Sequence, residues 1–140
     1  MRDHRPSVLL VDDDPAIRSL LRLLLEQDGC RIDEASDGEK ALKKLKRNHY
    51  TTILLDLLMP HVNGFEVLQD LRALHPEKLS RVVVFTAASD ETLMDFPDEK
   101  RIFRLLRKPL DKAEVLRVVR SCAARHTGAR QKSRVASVSP

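Results

Sequence analysis

Short apolar runs that end in an acid or a hydroxyl alternate along the chain with longer stretches in which aliphatic residues recur every three or four positions. Val8 to Val11 is the first such run, and Asp12-Asp13-Asp14-Pro15 follows it. A continuous apolar run bounded by turn formers suits a strand buried on both faces. Asp14 suits a helix N-cap and Pro15 the first helical position, where the amide hydrogen that proline lacks would go unbonded anyway. Ile17, Leu20, Leu21, Leu24 and Leu25 then repeat at helical spacing up to a stop at Gly29.

The same alternation predicts the rest. Cys30 to Ala35 reads as a second strand, and Ser36-Asp37-Gly38 opens a helix carrying Ala41, Leu42 and Leu45. Thr51 to Leu55 reads as a third strand, ending in Asp56. After the loop Met59-Pro60-His61-Val62-Asn63-Gly64, a helix with Phe65, Val67, Leu68 and Leu71 runs to about His75-Pro76. Val82 to Phe85 is a fourth strand that stops at Thr86-Ala87-Ala88. Ile102 to Leu106 is the fifth, followed by Lys108-Pro109 and a last helix from about Asp111 to Ala124, whose stripe of Val115, Leu116, Val118, Val119 and Cys122 is a buried face. Strands separated by helices imply a doubly wound α/β domain with a parallel sheet, since parallel crossovers need a helix.

Length and composition narrow the function classes. The 140 residues suit one domain and leave no room for a second, DNA-reading one. No apolar run approaches the roughly 18 residues of a membrane span, and the polar Met1 to Pro6 stretch lacks the apolar core of a secretory signal, so a cytoplasmic protein is expected. Cys30 and Cys122 are far apart and form no metal-binding pattern. His61 has no second histidine nearby and reads as a loop residue. The net charge of +4 resides beyond Ala124, where Arg125, Arg130, Lys132 and Arg134 meet no acid. Residues 1–124 are therefore read as the folded, neutral domain and 125–140 as a basic, flexible tail or linker remnant without aromatic residues to stack bases.

The chemistry-bearing residues all fall at strand ends: Asp12 and Asp13 after the first strand, Asp56 after the third, Thr86 after the fourth and Lys108 after the fifth. In open α/β sheets ligands bind beyond the carboxyl ends of the strands. The fold thus gathers carboxylates, a hydroxyl and an ammonium at one place. Clustered carboxylates raise one another's pKa unless a cation neutralises them, and Mg2+ suits an oxygen-rich site of this kind. A carboxylate beside such an ion can act as a nucleophile towards phosphorus, while a lysine and a hydroxyl hold the transferred oxygens.

The stretches Val8-Leu9-Leu10-Val11-Asp12-Asp13-Asp14, Leu54-Leu55-Asp56-Leu57-Leu58-Met59-Pro60, Asn63-Gly64-Phe65-Glu66-Val67-Leu68, Val84-Phe85-Thr86-Ala87 and Lys108-Pro109 resemble the receiver domain of bacterial two-component response regulators, over roughly Ser7 to Ala124. The resemblance implies a flavodoxin-like sheet in the order 2-1-3-4-5 and a cis bond before Pro109. It implies Asp56 as phosphoacceptor, Asp13 as a direct Mg2+ ligand, Asp12 as a ligand through water and the Leu58 backbone carbonyl as a further ligand. Thr86 becomes the switch hydroxyl and Lys108 the phosphoryl-binding cation. The implied function is a phosphorylation-controlled signalling switch, not an enzyme with an external substrate, which takes its phosphoryl group from a histidine kinase or phosphotransfer protein and signals to an unknown downstream protein.

Two departures from the family pattern stand out. Leu105 occupies the position, three before the lysine, where the family usually has an aromatic ring. The segment from Ala88 to Arg101 lacks the usual fourth-helix pattern, and Pro97 should stop any helix begun near Asp90, leaving the segment poorly held at rest. Two other classes are weighed. An aspartate-nucleophile phosphatase would place a second aspartate two residues after the first, where this chain has Leu58. A receiver-like adaptor that works without phosphorylation would fit the Leu105 and Pro97 departures.

Overall fold

The computed structural model describes residues 4–138, with side chains described through His126. Its strands are β1 (Ser7–Val11), β2 (Arg31–Ala35), β3 (Thr52–Leu55), β4 (Val82–Thr86) and β5 (Arg104–Arg107). They form a parallel five-stranded sheet in the order β2-β1-β3-β4-β5. The helices are α1 (Pro15–Gln27), α2 (Gly38–Arg47), α3 (Gly64–Leu74), α4 (Asp90–Leu93) and α5 (Lys112–Val138), with a 3-10 segment at Pro76–Arg81.

Strand side chains alternate between faces, and the alternation divides the core in two. Leu9, Val11, Ile53, Leu55, Val82 and Val84 face the layer of α2 and α3, where Ala41, Leu45, Val67 and Leu71 meet them. Val8, Leu10, Leu54, Val83 and Phe85 face α1 and α5, against Leu21, Leu25, Val115 and Val119. Both faces of β1, β3 and β4 are thus dry, which is why these strands read as unbroken apolar runs.

Polar residues fix where the helices start and stop. Asp14 caps α1 by accepting the Ala16 N–H at 2.9 Å, Asp37 caps α2 at Lys40 N–H (2.8 Å), and Asn63 caps α3 at Glu66 N–H (3.0 Å). Buried Lys78 donates to the Leu45 carbonyl near the end of α2, satisfying a carbonyl that the helix itself leaves unbonded. A Cβ at Gly64 would sit 2.3 Å from the Asp56 carbonyl oxygen, so α3 can dock against the end of β3 only through glycine.

Three expectations need correction. β5 begins at Arg104, not Ile102, because the Ile102 N–H is taken by the Asp98 carbonyl in the preceding turn. The segment before it is short of helix, as Pro97 predicts, but it is not poorly held. Phe96, Asp98 and Ile102 are buried, Phe96 stacks edge-on against Phe65 with centroids 5.8 Å apart, and Arg72 forms an ion pair with Asp98 at 3.1 Å. Finally, α5 continues to Val138 instead of ending near Ala124. The apolar repeat ends there, since Cys122 and Ala123 are the last buried residues described, but alanine, arginine, glutamine and lysine all favour continued helix. The tail's side chains beyond His126 lie outside the described residues, and the division at 124/125 stands as a proposal from charge and packing.

Candidate functional site

Each candidate residue is delivered to one end of the sheet by a strand. Val11 pairs with Leu55, so Asp12 and Asp56 leave adjacent strands side by side. The Asp12 N–H is bonded to the Ala35 carbonyl and the Asp56 N–H to the Val11 carbonyl, which carries the ladder one residue past the regular strands. Thr86 closes β4 and pairs with Arg107 of β5, and the Lys108 N–H donates to the Thr86 carbonyl at 3.0 Å.

Carboxylate oxygens of Asp12, Asp13 and Asp56 lie within 4.8 Å of one another. Asp12 and Asp56 are almost fully buried, whereas Asp13 is exposed at the rim. Lys108 Nζ reaches between the buried pair, 3.0 Å from Asp12 Oδ2 and 3.3 Å from Asp56 Oδ2, and lies 5.0 Å from the centroid of the Phe85 ring. Backbone amides hold the other oxygens: Asp14 N–H donates to Asp12 Oδ1 at 2.8 Å, and Leu58 N–H to Asp56 Oδ1 at 3.1 Å.

The electrostatics follow from this geometry. Burial pushes the Asp56 carboxyl above its ordinary range and the nearby Asp12 charge adds to the rise, although the Leu58 amide and Lys108 oppose it. Burial would lower the Lys108 ammonium, but hydrogen bonding to Asp12 and the charges of both aspartates outweigh it and hold its pKa above the usual value. Three carboxylates face one ammonium. The surplus of two negative charges, on oxygen donors open to solvent on the Asp13 side, fits a divalent, oxygen-seeking cation such as Mg2+.

Asp12, Asp13, Asp56 and Lys108 are therefore brought together as the sequence predicts. Thr86 is on the neighbouring strand end, but its hydroxyl accepts the Ala88 N–H at 3.1 Å and is bonded away from the carboxylates. At Leu58 the backbone N–H is engaged with Asp56, while the residue as a whole is 47% exposed. His61 adopts a positive φ of 63° in the loop before α3, in keeping with its reading as a loop residue.

Sequence reasoning missed two arginines that hold the site's loops. Arg18 Nη1 donates to the Asp12 carbonyl at 2.6 Å while its Nε binds Glu34 at 3.0 Å. Arg107 binds the Ala88 carbonyl and Asp90. Arg18 and Arg22 lie one turn apart and both grip Glu34, a spacing that marks a charged helix edge without showing which backbone group it reaches. Arg107 stands next to Lys108, but adjacent strand residues point to opposite faces, so its target could not be read from its neighbour's.

Comparison with known proteins agrees with this geometry. The family model of the response regulator receiver domain matches residues 8–120. The transcriptional regulatory protein ResD of Bacillus subtilis is 39% identical over 88 residues, which is 63% of this chain and 35% of ResD. SrrA of Staphylococcus aureus is 39% identical over 85 residues, 61% of this chain and 34% of SrrA. The chain thus spans about a third of the length of these curated relatives. Among solved structures, the response regulator TrrA of Thermotoga maritima, in complex with Mg2+ and BeF, superposes with a TM-score of 0.73 at 31% identity, over 84% of this chain and 98% of that one. A Francisella response regulator receiver domain superposes with a TM-score of 0.75 at 28% identity, over 87% and 99%.

Proposed function

This chain belongs to the response regulator receiver domain family, and from that premise we propose that Asp56 accepts a phosphoryl group from a phosphohistidine on a histidine kinase or phosphotransfer protein. The observation that carries the proposal is the buried Asp56 carboxylate held between Lys108 Nζ and the Leu58 N–H, beside the two further carboxylates of Asp12 and Asp13.

In this reading a carboxylate oxygen of Asp56 forms the new bond to phosphorus, the donor's P–N bond breaks, and the imidazole departs with the bonding electron pair. Lys108 Nζ, already within reach of both aspartates, turns to the phosphoryl oxygens and offsets the added charge, about −1.5 to −2 on the phosphoester scale. Asp12 and Asp13, with Asp56 and the Leu58 carbonyl, would hold Mg2+, which when bound neutralises the carboxylates and the phosphoryl oxygens. The Thr86 hydroxyl would exchange its bond to Ala88 N–H for one to a phosphoryl oxygen, drawing the loop after β4 with it. Such an exchange shifts a conformational balance by the difference in its binding to the two states.

The chain is a regulatory, signalling domain, and we infer that it does not turn over external substrates, because Leu58 offers no acid or base where a phosphatase would need one. No helix among the described residues is long and apolar enough to cross a membrane. That and the two unpaired cysteines support a cytoplasmic location. Intact-mass measurement after incubation with acetyl phosphate and Mg2+ tests the function. One phosphoryl adduct is expected on the parent protein and none on Asp56→Asn. Absence of an adduct on both would favour the phosphorylation-independent adaptor.

A further inference from the structure

Charges on the folded domain balance in number but are segregated in space. On α2, Lys40, Lys43, Lys44 and Arg47 follow the i, i+3, i+4, i+7 spacing of one helical face, and all line an open groove of about 540 Å3 beside Arg18 and Glu34. Over roughly 10 Å of helix axis this face offers four cations. Lys44 is committed to Asp33 at 2.5 Å, and Lys40 donates to the Ser36 hydroxyl, with no carboxylate partner among the described residues. Lys43 makes one long, exposed contact with Glu39 at 3.7 Å, worth little in water. Arg47 has no carboxylate partner among the described residues.

The opposite charge accumulates on the connection between β4 and β5. From Ser89 to Glu99 there are five acids and no base (Asp90, Glu91, Asp95, Asp98 and Glu99), and the exposed Lys100 and Arg101 that follow leave the connection net negative. Asp98 is buried against Arg72, and Asp90 reaches Arg107. Glu91, Asp95 and Glu99 are exposed, with no ion pair to them among the described residues, and Met94, which lies between Glu91 and Asp95 in the sequence, is 75% exposed.

Both patches belong to the same helical layer. Ala41 and Leu45 of α2, Val67 and Leu71 of α3, and Phe96 and Ile102 of the acidic connection share one core cluster. α3 stands between them, touching the acidic connection through Phe65–Phe96 and Arg72–Asp98. α2 follows the edge strand β2, and the acidic connection leads into the opposite edge strand β5. The layer is therefore positive at one edge and negative at the other, too far apart to neutralise each other within one molecule.

We propose that the α2 face of one copy docks the 89–99 segment of a second copy of this chain. The charges complement, and Lys40, Lys43 and Arg47 can meet Glu91, Asp95 and Glu99 while their methylene stems cover the Met94 side chain. The groove offers no aromatic residue to stack a base, and Glu34 in its lining disfavours a phosphate-dense ligand, so nucleic acid is the poorer match. Because the two patches lie at opposite edges, each contact leaves one of each unsatisfied, and association is head-to-tail.

Sedimentation of the full chain tests this. At an ionic strength of about 0.01 M, where charges are felt over roughly 30 Å, the average mass should climb above 16.0 kDa with concentration, and about 1 M salt should restore the monomer. The triple variants Lys40→Glu/Lys43→Glu/Arg47→Glu and Glu91→Lys/Asp95→Lys/Glu99→Lys should each stay monomeric alone. Their equimolar mixture should associate again, its average mass climbing with concentration as the parent's does, since each retains the patch the other lost and the two reversed patches also complement one another. The Gln equivalents of both sets guard against misfolding by reversed charge and should also be monomeric. A monomeric parent at low salt, or a mixture that fails to pair, overturns the proposal. So does loss on altering α2 with no loss on altering 89–99, which would assign α2 to some other anion.

Discussion

Arg107 Nη1 donates to the Ala88 carbonyl at 2.6 Å, so the residue next to Lys108 ties down the loop that follows Thr86. The second arm, to Asp90, is water-exposed and contributes little. The carbonyl bond is part-buried and is the one that restrains the loop. Arg107→Met should lower the free energy of local opening at Ala88 and Ser89 by about 1 kcal/mol, read as faster amide exchange, with the global melting temperature nearly unchanged. Unaltered exchange at those amides would show that the loop is held by something else.

Arg72 and Asp98 set a second expectation. The Asp98 carboxylate is buried and bonded to Arg72 Nη1 at 3.1 and 3.2 Å, holding the 94–102 segment on α3. Removing Arg72, whose side chain is partly exposed, leaves the buried Asp98 carboxylate uncompensated. Arg72→Met should destabilise by about 2 kcal/mol in urea unfolding, the scale of hydrogen bonds to a charged group, while Arg72→Met combined with Asp98→Leu should recover part of that loss. A double variant weaker than the sum of the singles would contradict the pairing.

The Asp33 carboxylate predicts an acid limit. Burial alone would raise its pKa, but hydrogen bonds from Lys44 Nζ (2.5 Å), the Tyr50 hydroxyl (2.7 Å) and the Glu34 N–H (2.9 Å) outweigh burial and hold it below the ordinary value. A carboxyl depressed by folding adds stability above its unfolded pKa of about 3.9 and loses it as pH falls through the lower folded value. Tyr50→Phe should raise the Asp33 pKa in a carboxyl NMR titration and cost about 1 kcal/mol at pH 7. The stability gap to the parent should narrow below about pH 4; a gap that is constant with pH would count against the hydrogen bond as its source.

The lifetime of the acyl phosphate is the fourth expectation, resting on the proposed role of Asp56. Hydrolysis needs a water in line with the new bond, and the side chains expected beside that path, exposed Leu58 and buried Ala88, cannot orient one. Slow self-dephosphorylation follows, and Leu58→Asn should shorten the half-life by about tenfold. Equal half-lives in a phosphate-release assay would remove Leu58 from the account.

Most of the fold is legible in the sequence because β1, β3 and β4 are buried on both faces and so appear as unbroken apolar runs that stop at the candidate site residues. The positions of Asp12, Asp56 and Lys108 in the sequence already place them together, because strand ends in a parallel sheet converge on one edge. The segment from Ala88 to Arg101 is held more firmly than its sequence suggests. Its anchors, Phe96, Asp98 and Ile102, are separated by turns and follow no period, and a buried aspartate looks in sequence like a solvated one until its arginine is found. β5 starts later than the apolar run for a related reason: Ile102 has strand propensity, but the Asp98 carbonyl in the preceding turn takes its amide. The length of α5 escaped because apolar periodicity reports packing, whereas the helical backbone outlasts it.

The in-register pairing of Val11 with Leu55 means that the spacing of the Asp12 and Asp56 backbones is set by the hydrogen-bond ladder, about 4.8 Å between strands, and not by any loop. The sheet acts as a ruler for the acidic site. Loops around it can lengthen, shorten or change sequence without altering that interval, so the surface beside the acidic cluster is free to diverge while the spacing of the carboxylates is kept. A one-residue slip of β3 against β1, by contrast, would turn Asp56 to the other face of the sheet and abolish the site in a single step.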